Sequence, residues 1–159
     1  MTKVFVIGYG NSLRGDDGAG YRAAQELSQK ISDSRVIIKA CHQLLPELLP
    51  EAMNAESILF IDATIEREPG SVLLEPVLES TIKRRNFFLH SFTPSLFMDQ
   101  LWQIYHRKPR AFLLSITGKE FSLTEHFSKE VESSFALLCT EAERFIKARI
   151  EPLEKVCTN

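Results

Sequence analysis

Cysteine is scarce and carries no pattern: Cys41, Cys139 and Cys157 form no C-x-x-C pair, and their number is odd. A disulfide framework is therefore not expected, and a reducing cytoplasmic setting is. Cys139 stands at helical spacing from Phe135 and reads as core, while Cys157 falls in a polar tail. Cys41 reads as a small reduced filler even though His42 follows it, because adjacent residues rarely form a catalytic cysteine–histidine pair. Long apolar runs are missing too. Nothing approaches the roughly 20 consecutive residues that cross a bilayer, and the apolar run near Met1 is too short for a signal-peptide core. Nor is there an excess of one charge. A formal net charge of −2 argues against nucleic acid and anionic membranes, which favour concentrated basic patches. The sequence also lacks an H-E-x-x-H helix and a G-x-S-x-G elbow. Asp-Ala-Thr occurs once, at Asp62, so a pair of aspartic-protease loops is absent as well. If the protein is a hydrolase, it is not one of the common designs.

What is present is an ordinary globular balance, with 44% apolar and 25% charged residues in a chain of 159. That length suits one domain over 1–150 with a frayed tail over 151–159. Val4 to Ile7 is a continuous apolar run halted by Gly8 and Gly10, as in a strand buried on both faces. Tyr21, Ala24, Leu27 and Ile31 recur at intervals of three and four, the stripe of an amphipathic helix. Val36 to Ala40 predicts a second strand, and Pro46 to Met53 a short helix with proline at a tolerated early position. A third strand is expected at Ile58 to Asp62 and a short peripheral one at Val72 to Leu74. Thr93 and Pro94 predict the cap and first turn of a helix reaching Tyr105, with Phe97, Leu101 and Tyr105 inward. Ala111 to Ile116 is the fifth strand. A last helix spans Ser128 to Ile150, with Val131, Phe135, Leu138, Ala142, Phe145 and Arg149 along one face and Pro152 ending it.

Strands that alternate with helices and are apolar throughout predict a three-layer α/β/α sandwich around a mostly parallel five-stranded sheet. Sites in such folds lie outside the carboxyl ends of the strands. The chemistry is therefore expected just after Ile7, Ala40, Asp62 and Ile116.

The segment Gly8 to Gly20 (GYGNSLRGDDGAG) is the most distinctive. Its glycines permit a tight turn, and Asp16 and Asp17 fall at a helix start, where the dipole stabilises negative charge. A dinucleotide loop is excluded, because Leu13 stands where the fingerprint needs glycine and two carboxylates would repel a pyrophosphate. One aspartate, Asp16, reads as a helix cap; Asp17 is placed at the rim of the strand-end crevice. Asp62 is either a turn former or a functional carboxylate at a strand end, and His90 either a core histidine or a ligand. Asp17, Asp62 and His90 together make an O,O,N set able to bind a borderline divalent metal such as zinc or nickel. Asn11 would orient a substrate backbone or hold its own turn. His42, in the run His42 to Glu47 after the second strand, would contact substrate or sit in a plain loop. His106 and His126 read as surface residues.

With Gly10 to Gly20, Phe60-Ile61-Asp62-Ala63 and the later His90, the chain resembles the hydrogenase maturation endopeptidases over nearly its whole length. The resemblance implies an enzyme that removes a short C-terminal peptide from the large-subunit precursor of a nickel–iron hydrogenase after nickel insertion. The nickel already in the precursor would be the recognition signal, and no tightly held cofactor of the enzyme's own is expected. Asp17, Asp62 and His90 are the metal-contacting positions it implies, with Asp17 standing where some members have glutamate. The segment His42 to Glu47 resembles the branch that serves bidirectional, NAD(P)-linked hydrogenases. Two other classes compete: a non-catalytic nickel checkpoint or metallochaperone for the same precursor, and a nucleotide-binding switch, against which the acidic helix start argues.

Overall fold

A computed structural model describes residues 1–78 and 92–151 of the chain. The strands are β1 (Thr2–Tyr9), β2 (Val36–Cys41), β3 (Ala55–Thr64), β4 (Val72–Pro76) and β5 (Arg110–Thr117). The helices are α1 (Ala19–Lys30), α2 (Leu49–Ala52), α3 (Pro94–Tyr105) and α4 (Lys129–Ile150), with 3-10 turns at Gly15–Gly18 and Pro46–Leu48. One five-stranded sheet has the order β2-β1-β3-β5-β4, parallel except for the β4–β5 pair. The expected three-layer fold, the helix begun by Thr93 and Pro94, and the peripheral place of β4 are all present.

Strand alternation divides the core in two. Val4, Val6, Leu59, Ile61, Leu114 and Ile116 face α1 and α4. Phe5, Ile7, Tyr9, Ile58 and Phe60 face α2 and α3, meeting Leu49, Phe97 and Leu101. Residues two apart share a face of the pleat, which leaves both faces of the central strands dry. Thr93 caps α3 by accepting from the Leu96 amide at 3.2 Å, and Ser128 caps α4 by accepting from Val131 at 3.3 Å.

Three local readings change. The buried side of α1 is Ala19, Gly20, Ala23, Ala24 and Leu27, while Tyr21 is only half-buried. Small residues win there because the helix lies directly on the strand ends: a Cβ on Gly20 would sit 2.2 Å from the Ile61 carbonyl oxygen and 2.6 Å from that of Tyr9. The helix expected over Pro46 to Met53 is a 3-10 turn followed by one α-turn, since Pro50 has no N–H to donate. Arg149, placed on the inner face of α4, keeps its guanidinium over the Phe145 ring at 3.4 Å instead of in the core.

The largest change concerns Asp16. Neither the 3-10 turn nor α1 has a side-chain cap. Asp16 is completely buried and accepts four hydrogen bonds from a distant loop: Lys119 N–H at 2.7 Å, and Glu120 N–H, Ser128 N–H and Ser128 Oγ at 2.8 Å each. Burial alone would raise its pKa, but the amides of Glu120, Lys119 and Ser128 and the Ser128 hydroxyl outweigh it, holding the carboxyl below its ordinary value. Its stabilisation is thus complete above the unfolded carboxyl pKa and lost as pH falls through the lowered folded one. His90, Cys157 and all of the expected 151–159 tail except Glu151 lie outside the described residues.

Two substitutions test these contacts. Gly20→Ala should destabilise the protein by about 1–3 kcal/mol, because backbone must move to admit the methyl group. Asp16→Ala leaves three part-buried amides and the Ser128 hydroxyl without their acceptor and should cost roughly 3 kcal/mol. Denaturant melts at neutral pH measure both, and unchanged midpoints would contradict the packing described.

Candidate active site

After β1 the chain crosses through α1 to β2 on one side, and it later lays β3 on the other side of β1. The β1–β3 boundary is therefore where connections diverge, the place where a crevice opens outside the strand ends. Gly8 pairs with both Ala40 and Ile61, so β1 and β2 end level with Asp62 while β3 runs on to Thr64. Tyr9 and Asp62 follow directly, each on the α3 side by alternation from Ile7 and Phe60.

Asp17 reaches the same place from the turn before α1. Gly10 has φ 144°, and a Cβ there would lie 1.8 Å from the Asp17 carbonyl oxygen, so only glycine lets these two backbones touch. The Asp17 carboxylate accepts the Asn11 amide at 2.7 Å, and Asn11 Oδ1 accepts the Leu13 amide at 3.0 Å. Asn11 thus holds its own turn through its side chain and holds Asp17 through its backbone.

Tyr9, Gly10, Asp17, His42, Asp62 and Phe92 line a cleft of about 450 Å³, walled by Leu44, Leu45 and Pro46. Asp17 and Asp62 are its ionisable acids, and no lysine or arginine is among its described lining residues. An uncompensated pair of carboxylates in a half-closed cleft favours a cation. His42 stacks on Tyr21, ring centroids 5.0 Å apart and planes 9° from parallel, which fixes the imidazole at the cleft edge. A larger hollow of about 640 Å³ lies at the opposite edge of the sheet, among Met1, Ser34, Asn54 and Arg107, and contains no carboxylate side chain. Chemistry, not size, selects the cleft.

Burial pushes the Asp62 carboxyl up to about 7, with the Asp17 charge adding to the rise. The Ala63 amide at 2.8 Å and the Tyr9 hydroxyl oppose the shift by hydrogen bonding to the carboxylate. Tyr9 is raised in turn, by burial first and then by the Asp62 charge and hydrogen bond. Sequence reasoning passed over Tyr9. The signal was available in the alternation of Phe5, Ile7 and Tyr9, which sets its hydroxyl on the same face as Asp62. Among the described residues no three of His, Cys, Asp and Glu cluster to hold a metal ion, and His90 lies within 79–91, outside them. Cys41 is half-buried, and His106 and His126 are exposed.

No family model and no curated protein matches the chain. Solved structures do. The hydrogenase maturating endopeptidase HybD from E. coli aligns with TM-score 0.74 and 18% identity, covering 92% of this chain and 93% of that one. The [NiFe] hydrogenase maturation protease HycI from Thermococcus kodakarensis KOD1 aligns with the same TM-score, identity and coverage. HybD from Thermococcus kodakarensis aligns with TM-score 0.68 and 22% identity, over 91% of this chain and 99% of that one. The fold is that of the hydrogenase maturation proteases. The likeness spans nearly the full length of each chain.

The raised Asp62 value has a measurable sign. The folded state holds this proton up to about pH 7, whereas the unfolded chain releases it near pH 4. Stability contributed by protonated Asp62 is therefore present at low pH and lost as pH rises through this window, by at most about 4 kcal/mol. Asp62→Asn, which mimics the protonated carboxyl, should be near neutral at pH 4 and stabilising at pH 8. Melting temperatures of the two proteins across that range decide it; a variant less stable at pH 8 would show Asp62 to be favourably ionised.

Proposed function

We propose that the protein is the endopeptidase that removes the C-terminal extension of a nickel–iron hydrogenase large-subunit precursor after nickel insertion. One observation carries the reading. Carboxylates from two separate segments, Asp17 and Asp62, meet in a cleft whose described lining has no basic side chain, on a scaffold shared with maturation endopeptidases. Asp17, Asp62 and His90 would hold the nickel that arrives with the precursor, locating the adjacent scissile peptide near the Gly8–Asn11 turn. Nickel binding at Asp62 would release the proton that burial retains there. A carboxylate acting as general base would then deprotonate water as it attacks a polarised carbonyl. Asn11 and His42 would orient the incoming backbone. The precursor is assigned to the cytoplasm and, from His42 to Glu47, to the bidirectional NAD(P)-linked hydrogenases. Among the described residues no helix is long and apolar enough to cross a membrane.

A second reading has one observation in its favour. No serine, threonine or cysteine is among the described residues of the cleft, so none of these described residues is a side-chain nucleophile of the usual kind. A checkpoint or metallochaperone that binds nickel-loaded precursor without cutting it would need none.

Intact mass of the precursor, with and without nickel, after incubation with the protein separates the two. Loss of one defined C-terminal peptide from the nickel-loaded form alone is the expected result. Equal cleavage of nickel-free precursor would sink the metal gate, and stable binding without a mass change would establish the checkpoint. Asp62→Ala should abolish processing while circular dichroism stays native, because a strand-end carboxylate contributes little packing.

A further inference from the structure

Each loop leaving the carboxyl edge of the parallel strands holds one large apolar side chain in water. Leu45 follows β2, Leu13 follows β1, Ile65 follows β3 and Leu123 follows β5, with exposures of 38%, 50%, 76% and 81%. Single exposed leucines are commonplace. A pair held side by side on a rigid base is less so. An isolated parallel bridge joins Arg14 to Thr124, which sets the backbone of Leu13 beside that of Leu123. The two backbones are tied by Thr124 N–H to Leu13 O at 3.0 Å and Gly15 N–H to Thr124 O at 2.7 Å. Beneath them, the Asp16 N–H donates to Glu120 O at 2.8 Å, and the buried Asp16 carboxylate grips the same loop. The two loops are thus fixed to each other through their backbones while Leu13 and Leu123 stay exposed.

The pair is continuous with the cleft. Leu13 is bonded to Asn11, and Asn11 to the Asp17 carboxylate. The cleft of about 450 Å³ has room for only a few residues of extended chain, whereas specific protein recognition takes about 800 Å² per partner. A short peptide seated at Asp17 and Asp62 would supply little of that area. We propose that Leu13 and Leu123 are the centre of a docking face for the folded body of the protein substrate, which positions its C-terminal extension in the cleft. The proposal rests on the protease reading and adds to it where recognition occurs: on folded surface outside the cleft, through apolar contact.

Steady-state processing of nickel-loaded precursor tests this with three proteins: the unaltered chain, Leu13→Ser with Leu123→Ser, and Leu13→Met with Leu123→Met. The serine pair should raise KM about tenfold with kcat within about twofold, as loss of ground-state docking requires. The methionine pair keeps apolar volume and should stay within about threefold of the unaltered KM. Unchanged KM in the serine pair, or a fall in kcat at constant KM, overturns the docking face. So does size-exclusion behaviour in which the unaltered protein dimerises and the serine pair does not, because the face would then belong to a second copy. Should the serine pair lose its circular dichroism, Leu123→Ser alone carries the same comparison at the more exposed position. Failure of the unaltered protein to cleave overturns the protease reading, whereas cleavage with an insensitive KM overturns the docking face alone.

Discussion

The buried carboxylate of Asp16 is the tie on which the working edge of the molecule depends. It joins the turn after β1 to the loop before α4, two segments more than a hundred residues apart in sequence, with four donors converging on two oxygens. An ion so deeply placed is tolerable only because its hydrogen bonds replace water almost completely. Once the turn is held, Asp17 has one position relative to β1, fixed by the backbone contact at Gly10 and the Asn11 amide. The apolar pair at Leu13 and Leu123 is set by the same tie.

The neighbouring aspartates divide two roles. Asp16 is entirely enclosed and fully hydrogen-bonded, and the hydrogen bonds keep it ionised below the ordinary carboxyl range. Asp62, on β3 between the strands that lead into the two tied segments, is half-buried with fewer donors and shares the cleft with Asp17, so its proton is retained to about pH 7. Hydrogen-bond count against desolvation decides which carboxylate is structural and which is available for chemistry. Tyr9 belongs to the second role, since its hydroxyl bonds Asp62 and its ring closes the cleft floor with the apolar layer under α3.

Much of the fold was legible because its signals are local. Runs such as Val4–Ile7 and Ile58–Ile61 have no polar position to show to water, which only a sheet covered on both faces accommodates. Thr93-Pro94 marks a helix start by cap and ring chemistry alone. The site was legible in part: Asp17, Asp62 and His42 come to one cleft, as strand-end positions suggested. Asp16 was misread, because its partners at Lys119, Glu120 and Ser128 cannot be seen from a sequence window. The face of α1 was legible in part: Ala24, Leu27 and Ile31 pack inward as their spacing suggested, but Ala19, Gly20 and Ala23 take the place of Tyr21 because the helix rests on carbonyl oxygens.

Sequence alone determined the class of fold, the edge of the sheet where connections diverge and the acidic residues that stand there. Those depend on hydrophobic period, on strand-end position and on residue type. Tertiary structure alone decided which aspartate is enclosed and held ionised and which is half-buried and keeps its proton to about pH 7. It also decided that Tyr9 serves Asp62 and that Leu13 stands beside Leu123. Desolvation and hydrogen bonding act over a few ångströms of space, and residues far apart along the chain meet within that range only after the sheet has formed.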